Sequence, residues 1–150
     1  MRKYIAAMFL TLAMLLLSGC GRLTPEEYRD ALKDQWKVYL PAQMAIVNDI
    51  VALDENGALP VEFEEHCKSF EKAMKDFEKI KPPSDIEYKH TLLLESLDNE
   101  RDWLAAVREL TSAETPEQIK AAEDKIQTAA NYPNSFPDRF IDLLSELPRE

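Results

Sequence analysis

Beyond residue 24 the apolar residues recur at every third or fourth position, and nowhere in the strict alternation of a strand. The clearest case is Phe63, Cys67, Phe70, Met74 and Phe77, spaced 4, 3, 4 and 3. That spacing is an a/d seam, and the intervening Glu, Lys and Asp residues form the solvated face. It predicts a helix from about Pro60 to Ile80, stopped by Lys81-Pro82-Pro83. An earlier stripe of Tyr28, Leu32, Trp36, Tyr39, Ile46, Ile50 and Leu53 predicts a helix from about Pro25 to Leu53, ended by Asn56-Gly57. Pro41 lies inside it and removes one backbone donor, so a kink or short break is expected near Leu40.

Three further patterns follow. Ile86, His90, Leu93, Leu97, Leu104 and Val107 predict a third helix over about Asp85–Leu110, with Leu92, Trp103 and Leu110 beside the stripe. Ile119, Ala122, Ile126 and Ala129 predict a fourth over about Pro116–Ala130, facing inward. Phe140, Ile141, Leu144 and Leu147 mark a short last helix from about Pro137 to Leu147, after the turn Asn131-Tyr132-Pro133-Asn134.

Helix starts carry their own chemistry. Thr24-Pro25-Glu26-Glu27, Ser84-Asp85-Ile86-Glu87 and Thr115-Pro116-Glu117-Gln118 each have the spacing of a capping box, in which a hydroxyl and an acid or amide satisfy orphan backbone N–H groups. Short connections between long amphipathic helices favour antiparallel neighbours. The expected fold is all-α: an up-and-down bundle of about four main helices, the first kinked at Pro41 and the C-terminal one broken near Tyr132–Pro137.

The N-terminal segment breaks this pattern. Arg2 and Lys3 precede an apolar run from Ile5 to Leu17, followed by Ser18-Gly19-Cys20. The layout is that of an export signal. At 1.5 Å per residue the run covers about 20 Å, short of the roughly 30 Å hydrocarbon core, so a permanent transmembrane helix is not expected. Leu17-Ser18-Gly19-Cys20 resembles the lipobox of bacterial lipoproteins. The resemblance implies cleavage between Gly19 and Cys20 and diacylglyceryl modification of the Cys20 thiol. Two acyl chains would hold the protein stably at a membrane where one would be marginal. The implied organisation is a signal peptide over residues 1–19, a lipidated cysteine with a short tether over 20–24, and one helical domain over 25–150. The implied location is the extracytoplasmic face of the cell membrane: the outer surface of a one-membrane cell, or the periplasm or outer membrane of a two-membrane cell.

Charge narrows the partners. The chain carries 28 acids against 18 cations, a net charge of −10. Loss of Arg2 and Lys3 with the leader makes the remainder more acidic still. Such a surface is repelled by nucleic acid and by anionic headgroups, which leaves the lipid at Cys20 as the membrane contact. With Cys20 taken by the anchor, Cys67 has no partner for an intramolecular disulfide.

Catalytic and metal chemistry find little support. A di-iron bundle site needs two Glu-x-x-His pairs, and Glu87-Tyr88-Lys89-His90 is one such spacing without a second. Glu62, His66 and Cys67 cluster, but adjacent helical residues point about 100° apart. Cys67 belongs to the seam as a small buried hydrophobe, and His66 is expected at the surface, paired with Glu62. Glu100 and Arg101 interrupt the Leu97–Leu104 stripe, as an interhelical salt bridge or boundary contact would. No Gly-x-Ser-x-Gly turn or glycine-rich phosphate loop occurs. The expectation is a non-enzymatic protein without cofactor or metal.

Two function classes remain. One is an interaction module that presents a helix face, or the stiff aromatic loop with Tyr132 and Phe136, to another envelope protein. The other is a small-ligand or cation-binding lipoprotein with a site between helices, lined by Trp36, Phe70, His90 and Trp103.

Overall fold

The computed structural model describes residues 21–56 and 58–148. The proposed signal segment and Cys20 lie outside the described residues. Five helices follow one another: α1 (Pro25–Asn56), α2 (Phe63–Glu78), α3 (Glu87–Thr111), α4 (Pro116–Ala130) and α5 (Phe136–Glu146). The fold is all-helical, and the C-terminal rod is broken between α4 and α5 as the turn residues predict.

Two of the three capping boxes form. Thr24 N–H donates to Glu27 Oε2 at 2.8 Å, and the Glu27 N–H donates back to the Thr24 hydroxyl at 3.3 Å. Thr115 and Gln118 make the same reciprocal pair at α4. The Ser84 box does not form. Helix α3 starts at Glu87, with Ile86 before it and no side-chain cap, and Glu87 instead pairs with Arg22 at 2.8 Å. At α5 the Ser135 hydroxyl accepts from the Asp138 N–H, after Asn134 turns the chain with a φ of 64°.

Helix α1 runs unbroken through Pro41. Pro41 and Lys37, whose carbonyl loses its partner, are both exposed, so water can take the orphaned acceptor and no break is needed.

Polar contacts fix the relative directions. Asp49 meets His66, and Gln35 donates to the Ala73 carbonyl at 2.9 Å, so α1 and α2 are antiparallel. Arg108 reaches Glu71 at 2.6 Å while Arg101 reaches Glu78, so α2 and α3 are antiparallel too. Lys125 of α4 pairs with Glu109 near the end of α3, and Glu146 of α5 pairs with Lys89 near its start. The broken C-terminal rod therefore descends along the whole of α3.

The core is aromatic. Tyr28, Tyr39, Phe70, Phe77 and Phe136 are fully buried, with Leu32, Ile46, Met74, Leu93, Leu97 and Val107 around them. Phe136 and Phe140 carry α5 into this cluster: Phe140 stacks on Trp36 at 4.3 Å, and Phe136 sits 4.8 Å from Tyr39 and 5.0 Å from Phe77. Helix α4 contributes far less. Ala122 is its one buried residue among those described, Ile126 and Ala129 are half-buried, and Ile119 is 39% exposed. Its close backbone neighbour is α3. The expected inward stripe of α4 is thus a contact with α3, whereas α5 fills the fourth position of the core.

Candidate functional site

The four residues expected to line one ligand cavity do not come together. Trp36 is half-buried and lies flat against Phe140. Phe70 is fully buried, 5.1 Å from Tyr39 and 5.9 Å edge-on to Trp103. His90 is buried at the other end of the bundle, where its Nδ1 meets the Tyr28 hydroxyl at 2.7 Å. Burial lowers the His90 pKa and raises that of Tyr28, so the pair is a hydrogen bond between two neutral groups. Packing and this hydrogen bond occupy Trp36, Phe70 and His90; Trp103 alone of the four borders a groove described below.

The two loop aromatics also separate. Tyr132 is 51% exposed, while Phe136 is completely buried and cannot serve as a contact surface. The His66 ring reaches across to Asp49 Oδ2 at 2.7 Å rather than to Glu62, and Asp49 is itself buried. Cys67 is a free, buried thiol whose pKa burial pushes up to about 11, which keeps it in the unreactive thiol form. Among the described residues no three His, Cys, Asp or Glu side chains converge as metal ligands, and no helix is long and apolar enough to cross a membrane.

Two features do stand out. The first is a row on α1. Leu40, Met44 and Val51 are 41%, 47% and 49% exposed, and Val47 between them is half-buried. Their spacing of 4, 3 and 4 puts them on one face, turned by about 120° from the Tyr39–Ile46 core face. A helix whose core face is already filled thus carries a second apolar edge into solvent.

The second is a groove of about 220 Å³ between α1, α3 and the α4–α5 turn, with Gln43, Asn99, Glu100, Trp103, Ala129 and Pro137 in its wall. Glu100 is only 8% exposed. Its Oε2 accepts from Gln43 Nε2 at 2.9 Å. The Tyr39 hydroxyl lies beside the same carboxyl, fully buried and with no well-formed hydrogen bond among the described residues, yet close enough to favour the charged form of Glu100. Burial raises the Glu100 pKa against the opposing effects of Tyr39 and Gln43. Of the two charges that interrupt the Leu97–Leu104 stripe, Arg101 makes the expected interhelical salt bridge, with Glu78, and Glu100 does not. Adjacent helical positions diverge, so Arg101 turns outward to Glu78 and Asp98 while Glu100 turns in.

A larger groove of about 540 Å³ separates α3 from α4 and includes Asp102, Ala106, Glu109, Lys125 and Tyr132. Its charged groups are already paired in part, through Lys125 and Glu109. Comparison with protein families, with curated proteins and with solved structures gives no match to this chain.

Proposed function

We propose that this chain is a lipid-anchored, extracytoplasmic, non-catalytic interaction module. The observation that carries the reading is the exposed row Leu40, Met44, Val47 and Val51 on α1. Isolated exposed apolar residues are ordinary; an aligned row over more than three helical turns is the pattern of a helix-face contact. The membrane is reached through Cys20, by the lipobox resemblance. The partner is an envelope protein with an apolar strip bordered by basic residues, because a net charge of −10 disfavours an acidic one.

A photo-crosslinking residue placed at position 44 of the full-length protein in cells tests this. One dominant adduct is expected, absent when the crosslinker is moved to position 88, since Tyr88 is 73% exposed but far along the chain from the row. Leu40→Asp should abolish that adduct without lowering the thermal midpoint, and Cys20→Ala should abolish it by removing the protein from the membrane. Equal labelling from both positions, or an adduct indifferent to Leu40→Asp, would refute the docking face.

A further inference from the structure

We infer that the groove at Glu100 binds a small primary ammonium compound: an alkylammonium whose charged nitrogen sits against the Glu100 carboxylate and whose chain lies along Trp103. The site goes beyond the docking face, because it lies in the groove wall and needs no protein partner.

The chemistry starts from an imbalance. Among the described residues no lysine, arginine or histidine comes within ion-pair distance of Glu100. A carboxylate that is 8% exposed has lost most of its water, and the Gln43 amide with the adjacent Tyr39 hydroxyl replaces only part of that hydration. Hence its strongest missing partner is a cation. The nearest cation in sequence, Arg101, is held on the outer face by Glu78 and Asp98.

The acceptor pattern then selects the kind of cation. Gln43 uses its Nε2 to donate to Glu100, which leaves its carbonyl oxygen free to accept. Glu100 Oε1 is free of the Gln43 contact, and Asn99 offers a second amide at the wall. The Tyr39 hydroxyl lies beside the carboxyl but is fully buried behind the groove wall, so it acts on Glu100 and not on the ligand. An –NH3+ group has three donors and no acceptor, which matches this set; a quaternary ammonium has none to give. The apolar wall of Trp103, Ala129, Ala130 and Pro137 suits an alkyl chain, and the indole adds cation–π attraction. A volume of about 220 Å³ admits a compact ligand and excludes a folded peptide.

The test uses 15N-labelled full-length protein in non-ionic detergent micelles, titrated with n-butylamine hydrochloride at neutral pH. The Gln43 side-chain amide and the Trp103 indole N–H are the reporters. Saturable shifts at both are expected, at least tenfold weaker for tetramethylammonium chloride at the same ionic strength. Glu100→Gln should weaken n-butylamine at least tenfold while leaving the thermal midpoint unchanged or higher, because the amide keeps the shape and removes the desolvated charge. Shifts that never saturate, that persist in Glu100→Gln, or that tetramethylammonium reproduces would overturn the site. So would a fall in the Glu100→Gln midpoint, because Glu100 would then be a stabilising core residue. Asn99→Ala serves as a second variant at the groove wall, where some weakening of n-butylamine is expected and none would count against the geometry.

Discussion

Replacing Phe136 with alanine should detach α5 from the bundle and remove about 4 kcal/mol of stability. Phe136 is completely buried, and its ring lies within 6.4 Å of four others: Trp36, Tyr39, Phe77 and Phe140. Truncating a buried phenylalanine costs about 3–5 kcal/mol from lost transfer energy and the remaining cavity. Aromatic pairing adds about 0.5–1.5 kcal/mol for a well-placed pair, which favours the upper half of that range. For a domain of this size the thermal midpoint should fall by roughly 15 °C. The matched control is Tyr132→Ala, four residues away in the same turn but 51% exposed, which should cost under about 1 kcal/mol. Urea unfolding followed by far-ultraviolet circular dichroism gives both values, with an unchanged slope marking a simple stability loss. A Phe136→Ala cost below about 1.5 kcal/mol, or a Tyr132→Ala cost equal to it, would refute the placement of Phe136 as the pin of the C-terminal rod.

Other consequences are equally open to measurement. Thr115→Ala removes the reciprocal cap on α4 and should cost about 1 kcal/mol, seen as faster amide hydrogen exchange in α4 than in α2, since α4 contributes one buried residue. Tyr28→Phe leaves His90 without its partner and should lower stability by about 1–3 kcal/mol in the same urea experiment. His90 has a folded pKa below its unfolded value, so its contribution is complete above about pH 6.5 and is lost as the pH falls from there through the lower folded pKa. The midpoint should therefore drop between pH 7.5 and 5, and less steeply in His90→Gln. Cys67, with a thiol pKa of about 11 and no exposed surface, should resist N-ethylmaleimide until the protein is unfolded in urea.

The helices were legible because their signals are local. The Phe63–Phe77 seam and the boxes at Thr24 and Thr115 need only residues within a few positions of one another, and all three appear as expected. The Ser84 box has the same spacing and fails. Pro82 and Pro83 just before it constrain the chain, and Glu87 finds Arg22, which is far away in sequence. Long-range partners explain the other differences as well. Nothing near His66 in sequence marks Asp49 as its partner, and nothing near Glu100 marks Gln43. The aromatic stripe residues Trp36 and Phe70 read equally well as cavity wall or as core. Packing against Phe140 and Tyr39 decides for the core. Glu100 was visible as an acid breaking an apolar stripe, but the same pattern accompanies boundary salt bridges, and only the outward turn of Arg101 separates the two.

The apolar row and the Glu100 groove meet on α1 at Gln43. A C-terminal helix running unbroken along α3 would lay apolar side chains against the neighbouring helices over its full length. The turn at Asn131–Ser135 instead divides the rod, and only α5 brings large side chains, Phe136 and Phe140, into the core. Facing the C-terminal half of α3, α4 offers mainly Ala122, Ile126 and Ala129, which reach less far. Space therefore remains where Gln43 and Glu100 line a groove. On α1, Gln43 lies between Leu40 and Val47 at helical-neighbour spacing, so groove and row share an edge. A ligand that fills the groove would order Gln43 and the end of α4, and a partner seated on the row would press on the same edge. The two sites should consequently be coupled. Whichever sign the coupling takes, linkage requires that n-butylamine change the partner's affinity, read by titrating the position 44 adduct against partner concentration, by the same factor by which the partner changes n-butylamine affinity. Two independent sites would show no such reciprocity, which would separate the groove from the docking face and leave the break in the rod without a functional consequence at the row.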